Sequence, residues 1–123
     1  MGRVYDAVAS QIDTSGFLAF DRYMEIVLHA PGLGYYSAGA AKFGPSGDFV
    51  TAPEMSPLFG TSLARQLAEL IEAGCTRIVE LGAGTGRMAA DILRELERLD
   101  RLPDTYEIVE LSADLKARQA AML

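Results

Sequence analysis

The chain has 123 residues, half of them hydrophobic and 23% charged, with a formal net charge of −6. That length holds one domain with a real core, and the acidic balance argues against an electrostatic grip on nucleic acid or on an anionic membrane. No apolar run is long enough to span a bilayer, and a single cysteine, Cys75, excludes both an internal disulfide framework and a cysteine-based zinc site.

The N-terminal stretch MGRVYDAVASQID places charges where a secretory signal needs continuous apolar residues. Asp6 stands where a myristoylation signal needs Ser or Thr. There is no Arg- and Ser-rich transit-like segment, so the expected setting is a bacterial cytoplasm. Residues 4–12 predict a short helix with Val4, Val8 and Ile12 on one face. Residues 20–29 predict a second, with Phe20, Met24, Val27 and Leu28 at helical spacing and Ala30-Pro31-Gly32 as its stop. The sole histidine, His29, reads as a helix-end group.

Residues 33–54 are rich in Gly, Pro and Ala and have no helical period. Two short strand candidates, Tyr35–Ser37 and Asp48–Thr51, make this segment an irregular hairpin or a functional loop. Tyr35 and Tyr36 either pair in that hairpin or pack against a ligand. Ser56-Pro57 signals a helix start, with serine as the cap and proline at the first helical position. Phe59, Leu63, Leu67, Leu70 and Ile71 form its predicted stripe, and Gly74 ends it. Cys75 reads as a packed small hydrophobe. Met24, Met55 and Met88 read as packing residues.

Residues 77–81 (RIVEL) predict a buried strand, GAGTG at 82–86 a turn, and residues 87–99 an amphipathic helix. Met88, Ile92, Leu96 and Leu99 face inward in this reading, with Arg94, Glu95, Glu97 and Arg98 outside. Tyr106–Leu111 predicts a second strand; Ser112 then caps a last helix, with Asp114 in its first turn. Both strands are apolar on both faces, as buried parallel strands are. The order strand, glycine turn, helix, strand, helix is the α/β opening of a parallel, doubly wound sheet with a right-handed crossover.

The glycine turn carries the chemistry. Glycines let the backbone turn tightly and admit a ligand without a Cβ in the way, and the helix start adds unpaired N–H groups. Glu110, at the end of the second strand, can accept two hydrogen bonds from a ribose diol. A P-loop is excluded because no Gly-Lys-Ser/Thr occurs. A dinucleotide fingerprint would need its third glycine at Arg87, which leaves NAD binding as a weaker alternative. Arg87 opposes the helix dipole unless it pairs with an acid, Glu110 or a ligand carboxylate being the candidates. The pattern Glu80-Leu81-Gly82-Ala83-Gly84-Thr85-Gly86 resembles the S-adenosylmethionine (SAM) motif of Rossmann-like methyltransferases.

The first half narrows the resemblance. Tyr23-Met24, Pro31-Gly32-Leu33-Gly34-Tyr35-Tyr36, Phe43-Gly44, Gly47-Asp48-Phe49 and Thr51-Ala52-Pro53-Glu54-Met55-Ser56-Pro57-Leu58-Phe59-Gly60 occur in order. With the glycine turn they make nearly the whole chain similar to the MidA-like methyltransferases, a family that includes the mitochondrial complex I assembly factor that methylates an arginine. One departure is Ala19, where the family pattern has a capping Ser or Thr, so the second helix starts without a good cap.

The resemblance implies SAM as cofactor, with Gly82, Gly84 and Gly86 beside its amino-acid part, Glu80 toward its amine and Glu110 on its ribose. It adds Thr51 and Pro53 to the cofactor-binding set. It implies a protein substrate, with a respiratory complex I subunit as a candidate, and no metal. It also implies a larger sheet in a much longer chain, so these 123 residues read as an N-terminal fragment. Residues 1–55 would cover the site and residues 56–123 would form the first βαβα part of the SAM-binding domain. Alone, such a fragment is expected to be inactive and to self-associate through uncovered apolar faces. A guanidinium acceptor must lose a proton and disperse its charge, which a facing carboxylate assists. Glu54 and Asp48 are the candidates, against the plainer readings of Glu54 in a turn before the helix and Asp48 capping a loop turn. The alternative function is a non-catalytic SAM-binding assembly or chaperone protein.

Overall fold

The computed structural model describes residues 2–38, 47–48 and 50–123. The elements in chain order are α1 (Gly2–Ser15), α2 (Phe20–His29), α3 (Ala52–Met55), α4 (Leu58–Glu72), β1 (Arg77–Leu81), α5 (Arg87–Arg98), β2 (Thr105–Val109) and α6 (Ala113–Met122). Phe43-Gly44 and Phe49 of the signature lie outside the described residues.

The core forms where α4 and α5 cross one face of the sheet. Ala64, Ile92 and Leu96 are fully buried there, and Leu67, Ile71, Ile78, Met88 and Tyr106 pack around them. Truncating Leu96 to alanine in such a setting costs about 2–5 kcal/mol. The face that α4 turns inward is Gly60, Ala64, Leu67 and Ile71, at helical spacing. Phe59, Leu63 and Leu70 of the predicted stripe are exposed instead. The apolar residues of α4 nearly encircle it, so small Gly60 and Ala64, which let α5 approach closely, select the buried face.

β1 and β2 pair in parallel, in register from Arg77 against Thr105 to Leu81 against Val109, with α5 as the crossover. Ile78 and Tyr106 point to the helices. The other face, expected to be buried, is open: Val79, Leu81 and Val109 are exposed, and Arg77 forms an ion pair with Glu107. No described element lies over it, which is why apolar strands stay half uncovered. β2 also ends earlier than predicted, leaving Leu111 exposed beyond it.

The N-terminal half departs further from expectation. α1 runs to Ser15, since the Thr14 and Ser15 hydroxyls donate back to the Ser10 and Gln11 carbonyls. In α2 the buried residue is Ile26, while Phe20 is 73% exposed and Met24 is also exposed. Ala19 makes no side-chain cap, as the sequence implies.

Tyr35–Ser37 is a turn and not a strand. The Tyr35 and Tyr36 N–H groups donate to the Val27 and Leu28 carbonyls, both at 2.8 Å. They thereby satisfy the open end of α2, and none is left for a ladder. The fold-back needs Gly34: a Cβ there would lie 2.5 Å from the His29 nitrogen. The described part of the second strand candidate is likewise unpaired, and the one-turn α3 follows it.

Pro57 sits one place earlier than predicted, at the cap of α4; Ser56 Oγ still accepts the Leu58 N–H at 3.2 Å. Gly74 ends α4 with φ +99°. Cys75 is exposed, not packed, and Met55 is exposed as well. No helix of the described residues is long and apolar enough to cross a membrane.

Candidate functional site

A cavity of about 470 Å³ opens beyond the carboxyl ends of β1 and β2, where open parallel sheets hold their ligands. Gly82, Gly84 and Gly86 carry φ of 66°, 56° and 86°, all left-handed, so side chains would strain the turn. Its loop is closed by Gly86 N–H to Ala83 O at 2.9 Å, and the Gly82 N–H donates to the Val109 carbonyl at 2.9 Å. Gly82, Gly84, Thr85 and Arg87 line the cavity, so the start of α5 faces it.

Two carboxylates of the strands reach the same space. Glu110, 9% exposed, accepts the Leu111 and Ser112 N–H groups on Oε1 at 2.8 and 2.9 Å. Its Oε2 accepts from Gln119 Nε2 at 3.3 Å. Glu80 accepts the Tyr106 hydroxyl at 2.6 Å. Burial pushes Glu80 above the usual carboxylate range, with the Tyr106 bond opposing the shift. Burial and then Glu80 push the Tyr106 hydroxyl upward, so it remains a donor.

The N-terminal half covers the cavity. Thr51, Pro53 and Glu54 line it, as do His29 and Tyr36. Glu54 accepts the Thr85 hydroxyl, which fastens α3 to the glycine turn. Tyr36 is held by its carbonyl, which accepts the Ser112 hydroxyl. The His29 ring stacks on Tyr36 at 5.6 Å, and its buried Nδ1 has no hydrogen-bond partner among the described residues.

Of the residues singled out from sequence, the cavity collects Glu54, Glu80, Gly82, Gly84, Glu110, Thr51 and Pro53. Gly86 caps α5 immediately beside it. Asp48 is not brought to Glu54: it is exposed and accepts the Tyr35 hydroxyl at 2.6 Å, which pushes that hydroxyl up to about 12. Arg87 pairs with Asp91 at 2.8 Å and not with Glu110, because Asp91 is its neighbour one helical turn on. Glu95, placed outside by the sequence, is buried: Arg98 and Arg65 neutralise it at the flank of α5.

The sequence reading gives His29 only a helix-end place, Thr85 only a place in the glycine turn and Tyr106 only a place in the second strand, and it does not single out Gln119. Thr85, Tyr106 and Gln119 acquire their roles at the site through partners distant in the chain, Glu54, Glu80 and Gly84, which no local pattern signals. Among the described residues, no group of His, Cys, Asp and Glu could hold a metal ion.

A glycine turn at a helix start and an acid at the end of the neighbouring parallel strand define the opening of a Rossmann-like nucleoside-binding fold. The size of the cavity suits such a ligand. Residues 62–123 match the family described as "Putative S-adenosyl-L-methionine-dependent methyltransferase", and the chain belongs to that family.

The mitochondrial protein arginine methyltransferase NDUFAF7 of Xenopus laevis is 37% identical over 121 residues, which is 92% of this chain and 28% of that protein. The Caenorhabditis elegans homologue is 32% identical over 123 residues, 94% of this chain and 29% of its own length. A Burkholderia thailandensis protein described as a "likely methyl transferase", solved bound to S-adenosyl-homocysteine, superposes with TM-score 0.89 at 48% identity, over 99% of this chain and 33% of that one. The chain thus spans about a third or less of the relatives it matches.

Proposed function

We propose that the protein carrying this chain is a SAM-dependent protein arginine methyltransferase. The observation that carries the reading is the convergence of the glycine turn with the Glu54, Glu80 and Glu110 carboxylates on one cavity. When bound, the cofactor supplies an electrophilic methyl group. The glycine turn would leave room for its amino-acid end, Glu80 would take its amine and Glu110 its ribose hydroxyls, with Thr51 and Pro53 of the same cavity wall keeping water out. Methyl transfer is an in-line displacement that needs alignment more than acid–base chemistry. Glu54, held by Thr85 at the cavity wall, is the carboxylate placed to receive an acceptor guanidinium. Asp48 acts at most through Tyr35, which it orients.

Several finer assignments belong to the same reading. Residues 1–55 serve as a cover and residues 56–123 as the cofactor half. The first acceptor to test is a respiratory complex I subunit, on the family resemblance. A bacterial cytoplasmic setting belongs to the same proposal; the 48% identity to the Burkholderia chain, against 37% to the Xenopus one, speaks for the bacterial source alone. Self-association of the chain on its own is supported by the exposed Val79, Leu81 and Val109.

The test is made on the full-length protein with isotopically labelled SAM, reading methylarginine by mass spectrometry and S-adenosyl-homocysteine binding by calorimetry. Binding and methylarginine formation are expected. Binding of NAD in place of S-adenosyl-homocysteine would overturn the cofactor assignment; binding without any methyl transfer would favour the non-catalytic assembly role.

A further inference from the structure

Gln119 lies in α6, 5% exposed, and does not itself line the cavity. Its amide nitrogen is 2.9 Å from the Gly84 carbonyl and 3.3 Å from Glu110 Oε2. Both neighbours accept, so the nitrogen of the amide, and not its oxygen, belongs at this position. One side chain therefore bridges two parts of the cavity wall, the turn that opens α5 and the acid that follows β2. α6 rests directly on the turn: a Cβ on Gly86 would lie 3.3 Å from the Gln119 Cα.

The other Glu110 oxygen is already held by two backbone N–H groups. Gln119 supplies the bond that fixes Oε2, and with it the direction of the lone pairs left for a ligand. Without it the carboxylate and the turn could adjust independently, and a ligand would have to order them on binding.

We infer that Gln119 is a positioning residue of this site, setting the Gly84 carbonyl and the Glu110 carboxylate at a fixed separation for a ligand with an amino-acid group at one end and a diol at the other. The inference rests on the cofactor assignment above and adds a residue that acts only through others. Hydrogen bonds to charged groups, and the preorganisation they give, put its effect on affinity at about 10- to 100-fold.

The experiment uses the full-length protein, S-adenosyl-homocysteine as the probe, and calorimetry well below each variant's melting temperature. Gln119→Met keeps length and bulk and removes both donors. It is expected to weaken binding about 10- to 100-fold and to raise the KM for SAM, with kcat at saturation within about threefold. Combined with Glu110→Gln it should cost less than the product of the two single losses, because one acts through the other.

Gln119→Glu has the same shape but can donate only when protonated, and when ionised it repels Glu110. Its affinity relative to wild type should therefore climb as pH falls. Glu54, Glu80, Arg87 and His29 share the cavity in both proteins, so the ratio isolates position 119. This pH ratio also decides the matter if Gln119→Met fails to fold. Wild type that binds no S-adenosyl-homocysteine overturns the cofactor assignment and the inference together. Wild type that binds, with Gln119→Met binding equally well or with a pH-independent Gln119→Glu ratio, overturns the inference alone.

Discussion

The C-terminal half, β1 through α6, and the N-terminal half, α1 through α3, reach the same cavity by different routes. The C-terminal half does so through backbone geometry: positive φ at the glycine turn, N–H groups on Glu110, a capping serine at α6. The N-terminal half does so through side-chain tethers between distant residues, Thr85 to Glu54 and Ser112 to the Tyr36 carbonyl. The first arrangement is a cradle built into the chain's local conformation. The second is a cover whose place depends on a few long-range bonds. Damage to the cradle should therefore appear as lost cofactor affinity, and damage to the cover as lost turnover.

The largest expected effect lies in the cradle. Gly84→Val forces a β-branched residue to φ near 56° and puts bulk into the cavity wall, so S-adenosyl-homocysteine binding should fall by at least about 100-fold in calorimetry. Normal binding would remove the basis of the contrast. Next, Glu54→Gln should lower turnover about 100-fold while leaving cofactor affinity within about threefold. An equal fall in both would make Glu54 part of the cradle instead.

Glu80→Gln should weaken binding about tenfold at neutral pH and remove its pH dependence. Burial raises the Glu80 pKa, so in wild type the affinity for an ammonium-bearing ligand is full above that raised pKa and declines as pH falls through it. The same shift means that ionised Glu80 lowers the stability of the fold as pH rises through that window, so the Gln variant should melt no lower than wild type at neutral pH.

Ser112→Ala tests the joint between the two halves. It removes the cap that accepts the Leu115 N–H and the tether to Tyr36, and should cost about 1–2 kcal/mol in urea denaturation. The smallest effect belongs to Glu95, on α5 but outside the cavity lining. Hydrogen bonding from Arg98 holds it down to about 2, so its contribution is present above the ordinary value of 4.5 and is lost as pH falls from there toward 2. Melting curves of Glu95→Gln against wild type should separate at neutral pH and converge in acid.

The two halves also differ in how far they can be read in advance. Both strands, the turn, α5 and the Ser112 cap are legible because each rests on neighbours in sequence: a β-branched run, glycines where φ must be positive, an apolar period of 3.6. The cavity-lining acids Glu80 and Glu110 follow from the same logic, because their places, near the end of β1 and just after β2, are set by the strands themselves. In the N-terminal half the extended reading of Tyr35–Ser37 fails, since the Tyr35 and Tyr36 N–H groups close the end of α2, a competition that no local pattern reveals.

By itself, then, the sequence determined the βαβα order, the glycine turn, the acids at its flanks and the family resemblance. Only the tertiary structure decided which face of α4 is buried, that Arg87 pairs with Asp91 and Asp48 with Tyr35, and that Thr85, Gln119, Ser112 and His29 complete the site. The physical reason is range. Backbone conformation and amphipathic period are settled within a few residues, whereas the partner of a serine, glutamine or histidine is whichever group packing brings within 3 Å or so, from anywhere along the chain.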